Sequence, residues 1–384
     1  MDTLTQTQDM LGDLIAYPTI SSDSNLDIIA YLAQRLEDAG ASVKIFHDET
    51  GKKANLFGTL GPEVDGGIVL SGHTDVVPVQ DQVWASDPFS MTQKDTRLFG
   101  RGSCDMKGFV AAATVMAQHY AAQVKDRPIH FAYTYDEETG CFGAQKLVKS
   151  LEQMGVAPSL AIVGEPTLMQ VIDGHKGCYE YTTYFTGLAG HGSAPDLGVN
   201  AVEYAAQFVN KIIALKAELR ARVPQGSNFT PPWTTLSTGS LSGGVAHNVI
   251  PDRATVAWDM RPVHPSDAAF VHDALNKLCQ EILLPAMRDV DPDATITTEV
   301  LAEVEGLLPT VENEARDLVM ELTGANGTDL VAFGTEAGLF QQAGMSVAIC
   351  GPGSIEQAHK ADEYVEIDQL ALCLSMLERL GNRL

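Results

Sequence analysis

The chain has 384 residues, and at roughly 150 residues per domain two packed units are expected rather than one small module. Hydrophobic residues make up 45% and charged residues 20%, a balance that supports a large core and argues against disorder. Lys plus Arg number 25 against 50 for Asp plus Glu, a formal charge of −25, so nucleic acid and anionic membranes are excluded as partners by repulsion.

The opening stretch MDTLTQTQDM is polar and acidic, unlike the basic and then apolar start of a secretory signal, and a cytoplasmic location is expected. No uninterrupted apolar run of about 18 residues occurs, which removes a membrane span. Cys104, Cys141, Cys178, Cys279, Cys350 and Cys373 form no C-x-x-C pair, so free thiols are expected rather than a thiolate metal site or disulfides.

Apolar residues recur at helical spacing from Leu4 to Tyr17 and from Leu26 to Ala39, the second after the cap-rich Ser21, Ser22, Asp23, Ser24. Short strands are expected at Ala41 to Ile45, Ala54 to Thr59, Ile68 to Ser71, Ile129 to Tyr135 and Leu160 to Val163, with helices at Lys107 to Ala122 and Gly143 to Met154. This alternation predicts an α/β domain with a central, mainly parallel sheet flanked by helices. From Tyr179 the pattern becomes strand (Glu180 to Thr186), helix (Ala201 to Arg222), two strands (Thr234 to Leu241, Ala254 to Arg261), helix (Ser266 to Leu283) and strand (Ala294 to Val300). That β-α-β-β-α-β order predicts a ferredoxin-like α+β domain inserted at 179–301 between catalytic segments 1–178 and 302–384.

Chemistry-bearing residues gather where these strands end. His73 and Asp75 stand two apart in Ser-Gly-His-Thr-Asp, one as a ligand and the other as its orienting carboxylate, or simply a bonded loop pair. Asp105 opens a helix after a glycine-rich loop and could equally be its N-cap. Glu137 and Glu138 end one strand in a row of acids, where a solvated loop tip is the plain alternative; Glu165 ends another. Acids at the carboxyl ends of separate strands are where open α/β sheets bind ligands. With His359 after a late turn, the set His73, Asp105, Glu138, Glu165 and His359 supplies imidazole nitrogen and carboxylate oxygen without thiolate, suited to two zinc ions sharing a carboxylate.

The order S-G-H-T-D-V-V-P, G-R-G-S-C-D-M-K-G, D-E-E-T-G, G-E-P-T and G-P-G-S-x-x-x-A-H closely resembles the two-zinc metallopeptidase family that contains acetylornithine deacetylase, succinyl-diaminopimelate desuccinylase, aminoacylase and glutamate carboxypeptidase. The segments G-H-K-G at 174–177, 190–200, F-G-T-E-A-G at 333–338 and 351–364 are most similar to its acetylornithine deacetylase branch. The resemblance implies that Asp105 bridges two zinc ions, for which cobalt can substitute, with His73 and Glu165 on one side and Glu138 and His359 on the other. It also implies Glu137 as general base, a cis bond from Asp105 to Met106, and a lid that dimerises and sends His191 to an active site. Asn248, Arg261 and the turn Gly351, Gly353, Ser354 are implied as contacts for the substrate carboxylate. The expected reaction is removal of the acetyl group of N2-acetyl-ornithine in arginine biosynthesis, with Glu336 as an acid for the substrate's ammonium or else a helix cap. The rivals are another N-acyl-amino acid or a short peptide as substrate, a non-catalytic metal-binding protein, and a peptide-binding module. Glu137 argues against the non-catalytic metal-binding reading, since closed structural sites keep no unligated base or open position.

Overall fold

In a computed structural model that describes residues 2–384, four strands, Ile68–His73, Ile129–Thr134, Leu160–Pro166 and Ser346–Gly351, are buried over nearly their whole length. Continuous burial is what a strand covered on both faces requires, and such strands pair in parallel. Ile68–His73 lies parallel to both Ile129–Thr134 and Leu160–Pro166, and Ser346–Gly351 lies parallel to Leu160–Pro166. Their carboxyl ends therefore fall on one edge. Antiparallel strands extend the sheet: Ala54–Leu60 and Ser42–His47 on one side, Ile172–His175 on the other. With Asp329–Val331 at the far edge the sheet has eight strands.

The helix Lys107–Ala121 rests on this sheet through Phe109, Val110, Ala112, Ala113 and Met116, all buried. Its run of alanines keeps the helix close to the strands, and the helices Thr3–Ile15 and Ile367–Leu380 pack on it in turn. Met106 takes the N-cap position without a side-chain cap bond. The carboxylate of Asp105 is thus not spent on the helix, and the bond from Asp105 to Met106 is cis.

By its contacts the chain divides into two compact units: Met1–Gly174 with Pro309–Leu330 and Thr335–Leu384, and His175–Leu308 with Val331–Gly334. The second unit is built on an antiparallel sheet in the order Thr235–Gly243, Arg253–Arg261, Cys178–Thr186, Thr295–Val304. Inward residues of these strands, Val256, Trp258 and Phe185, meet Phe208 and Ile212 of the helix Ala201–Arg220 and Val271 of the helix Pro265–Leu278. The side chain of Asn200 caps the longer helix by accepting from the amides of Val202 and Glu203.

The second helix ends earlier than its sequence pattern suggests, passing into a π-helical turn at Cys279–Leu283 and a short helix Leu284–Arg288. The last strand runs longer, through exposed Val300 and Leu301, because a register shift between Val300 and Ala302 carries the pairing onward. Among the described residues no disulfide joins Cys104, Cys141, Cys178, Cys279, Cys350 or Cys373. No helix among the described residues is long and apolar enough to cross a membrane.

Candidate metal centre

All of His73, Asp105, Glu137, Glu138, Glu165 and His359 belong to the first unit. His73 closes its strand opposite Thr134 of the parallel neighbour. The next strand end delivers Glu137 and Glu138, and Glu165 comes from Leu160–Pro166. The polar set thus sits where the backbone amides and carbonyls of the sheet run out, the usual ligand edge of an open α/β sheet.

Asp105 is at the centre. Its Oδ1 lies 3.0 Å from Nε2 of His73, and its Oδ2 lies 3.3 Å from Nε2 of His359. On the first side Oε1 of Glu165 is 3.9 Å from His73; on the second, Oε2 of Glu138 is 2.9 Å from His359. His73 is buried at 1% exposure, whereas the His359 side chain is 54% exposed. Two groups of donor atoms, each within 4.8 Å of one another, overlap here: His73, Glu137, Glu165 and His73, Asp105, Glu138. The two groups share His73 and split the carboxylates differently from the division about Asp105. Neither group includes His359, whose Nε2 lies near both Asp105 and Glu138.

Asp75 serves both sides of the loop. Nδ1 of His73 is 2.9 Å from the Asp75 carbonyl and 3.5 Å from its Oδ1, so the backbone makes the closer contact and the carboxylate lies beside it. The Asp75 carboxylate accepts from the Ser21 hydroxyl at 2.7 Å and from the amides of Glu137 and Glu138 at 3.1 and 3.4 Å. Sequence reasoning reached the pairing with His73 but not this second task, which orients the turn carrying the acids.

The electrostatics describe a cluster short of positive charge. Burial, then Asp105 and Glu137, push the Glu165 carboxyl well up; burial, then Asp105, push Glu138 to about 7. Burial, with Glu138 and Asp105 adding to it, also raises Glu137. Hydrogen bonds to Asp105 and Glu138 raise His359 to about 10. Burial opposes a charge on His73, but Asp105 and Asp75 outweigh it and hold its imidazole well above the usual range. Oε1 of Glu165 is buried without any hydrogen-bond partner, an acceptor of the kind that a bound cation satisfies. Oxygen and imidazole donors with excess negative charge fit divalent metal ions.

Glu336 holds the N-cap position of the helix Ala337–Gln342 without a side-chain cap bond; at 1% exposure its oxygens accept from the hydroxyls of Ser71 at 2.5 Å and Thr134 at 2.8 Å. Both of its oxygens are thus engaged by buried hydroxyls of the sheet. Gly351 and Gly353 are packing glycines: a Cβ on the first would meet the Gly164 carbonyl at 2.0 Å and one on the second the Cys104 sulfur at 2.6 Å. Their amides are already given to Thr167 and Gln369, and of this turn only Ser354 is partly exposed. His191 pairs with Val249 in a two-residue ladder, because Gly190 and Gly192 let the segments approach.

His191, Asn248 and Arg261 belong to the second unit. The His191 ring is exposed and holds Ser193 through Nδ1 at 2.8 Å, and it caps no helix. Asn248 is exposed and accepts the Gly192 amide on its carbonyl. Arg261 reaches Asp259 and Glu180 at 3.2 and 3.3 Å.

A sheet whose ligand edge carries a shared carboxylate, two imidazoles and an adjacent acid defines the class of metal-dependent hydrolases of amide bonds. The chain belongs to Peptidase family M20/M25/M40, whose model matches residues 69–383. It is 35% identical over 385 aligned positions to an acetylornithine deacetylase of Myxococcus xanthus, covering 98% of this chain and 97% of that one. Its fold is similar to an M20 family metallo-carboxypeptidase of Sulfolobus solfataricus, with TM-score 0.76, 16% identity and 100% and 99% of the two chains covered. It is also similar to a dinuclear metal-binding peptidase of Bacillus subtilis, with TM-score 0.65, 15% identity and 99% and 98% covered.

Proposed function

We propose that the protein hydrolyses N2-acetyl-ornithine to acetate and ornithine, in arginine biosynthesis in the cytoplasm, and that it holds two zinc ions, or cobalt in their place. The observation that carries this reading is Asp105, whose two oxygens face the two imidazoles, with Glu165 and Glu138 flanking them. The full-length similarity to acetylornithine deacetylases supports the substrate. His73, Asp105 and Glu165 would hold one ion, and Asp105, Glu138 and His359 the other. The chemistry supplied by ions bound there is polarisation of the amide carbonyl and acidification of water.

Glu137 takes a proton from the attacking water and passes it to the amine nitrogen as the C–N bond breaks. Its raised carboxyl suits a group that must both accept and return a proton. Asp75 keeps the Glu137 turn and the His73 ring in register by bonding both. In the second unit, read as a lid and dimerisation domain, Asn248 and Arg261 are assigned to the substrate carboxylate, with Ser354 from the first. His191 of a partner copy is assigned as a donor to the developing oxyanion in a homodimer. A panel of acetyl-ornithine, succinyl-diaminopimelate and two dipeptides, assayed with added zinc or cobalt, tests the substrate. Faster turnover of the succinyl compound or of a dipeptide would overturn it.

A further inference from the structure

His359 poses a problem that His73 does not. An imidazole at 1% exposure is oriented by packing, but one whose side chain is 54% exposed is not. His359 also sits at φ +63°, where L residues are uncommon. Something other than side-chain packing has to hold it opposite Asp105.

The loop that follows His359 carries Glu363, a carboxylate at 1% exposure with four donors around it. Oε2 accepts from Arg101 Nη1 at 2.8 Å and from the Gly102 amide at 3.0 Å. Oε1 accepts from the amides of Cys104 at 2.9 Å and Asp105 at 3.0 Å. Arg101, itself buried, also reaches the His359 loop through its two terminal nitrogens, while its Nε has no hydrogen-bond partner. Its Nη1 reaches the Lys360 carbonyl at 3.2 Å, and Nη2 gives to Gln82 Oε1 at 2.6 Å. Gln82 then donates to the carbonyl of His359 at 2.8 Å. The carbonyls of both His359 and Lys360 are thereby held from the segment that bears Asp105.

We infer that Glu363 is a positioning residue that locks the Asp105 loop against the His359 loop and so sets the spacing of the two ligand sets. The inference rests on the reading of these residues as metal ligands. A carboxylate is required because four N–H groups converge on its two oxygens; a glutamine would turn an NH2 toward two of those donors and lose their bonds. Arg101 and Gln82 carry the same constraint to the backbone of His359. Supporting groups around metal ligands change affinity by about 10- to 100-fold when removed.

The test uses metal-free full-length protein and cobalt(II) titrated against a competing chelator, with thermal unfolding measured alongside. Wild type is expected to bind two ions. Glu363→Gln is expected to weaken both stepwise constants by about tenfold or more, since it releases the Asp105 amide as well as Arg101. Gln82→Ala, at a partly exposed residue, is expected to weaken only one by about that factor while leaving the other within about twofold. It also decides the matter if Glu363→Gln fails to fold. Variants that melt earlier yet keep both constants within about twofold of wild type would overturn the inference, because Glu363 would then support the fold alone. A wild-type protein that binds no divalent ion would overturn the reading of the site and the inference with it.

Discussion

Replacing Glu137 by glutamine preserves shape and leaves its amide bonded to Asp75 at 3.1 Å, so the turn that carries Glu138 keeps its anchor. What is lost is the proton acceptor. A general base contributes about 10²- to 10⁴-fold, or about 2.7 to 5.4 kcal/mol at 1.36 kcal/mol per decade, and kcat should fall by that factor. Replacing Glu138 acts elsewhere, because its Oε2 is 2.9 Å from His359 and belongs to the ligand set. A ligand lost should cost at least the roughly tenfold in metal affinity that its supporting groups cost. The assay is metal content after gel filtration, read beside turnover of acetyl-ornithine at saturating metal. Glu137→Gln should retain two ions and lose turnover; Glu138→Gln should lose metal first. Equal metal loss in the two variants would refute the division of roles.

Removal of metal by a chelator should abolish turnover, and zinc or cobalt should restore it; full activity in a verified metal-free preparation would end the mechanism. Glu336→Gln should affect acetyl-ornithine and a neutral acetyl-amino acid alike, because the acid is enclosed by Ser71 and Thr134; a selective loss on acetyl-ornithine would restore it as the ammonium contact. Burial depresses His130 to about 4, so between pH 4 and about 6.5 the unfolded chain binds a proton that the folded one refuses. Its contribution, about 3 kcal/mol at most, is complete above pH 6.5 and lost as the pH falls to 4. Urea midpoints of His130→Gln should flatten across that window, and an unchanged slope would contradict the assignment. Mixing Glu137→Ala with His191→Ala after subunit exchange should restore about a quarter of wild-type activity, since half the dimers are mixed and each has one intact site. No recovery would show that His191 does not act across a dimer.

Several features were legible along the chain because they are local. Apolar runs such as Ile68-Val-Leu and Phe131-Ala-Tyr announce strands buried on both faces, and a polar residue directly after each run marks where the strand meets the ligand edge. The alternating strands around Trp258 and Tyr181 likewise declare one buried face, which is why the β-α-β-β-α-β order could be followed. Strand lengths were less legible: His73 and Glu165 lie within their strands rather than after them, since pairing with neighbours continues past the last apolar side chain.

What tertiary structure alone decided is which distant groups meet. Glu363 bonds an amide 258 positions away, and Glu336 is taken by Ser71 across 265; no periodicity records such partners. The only trace of Glu363 was its place in the A-H-K-A-D-E-Y segment, four residues after His359. An isolated acid in a sequence can be a ligand, a cap, a substrate contact or a brace. Periodicity registers only whether a side chain is buried, while its role follows from the donors that close around it once the chain has folded.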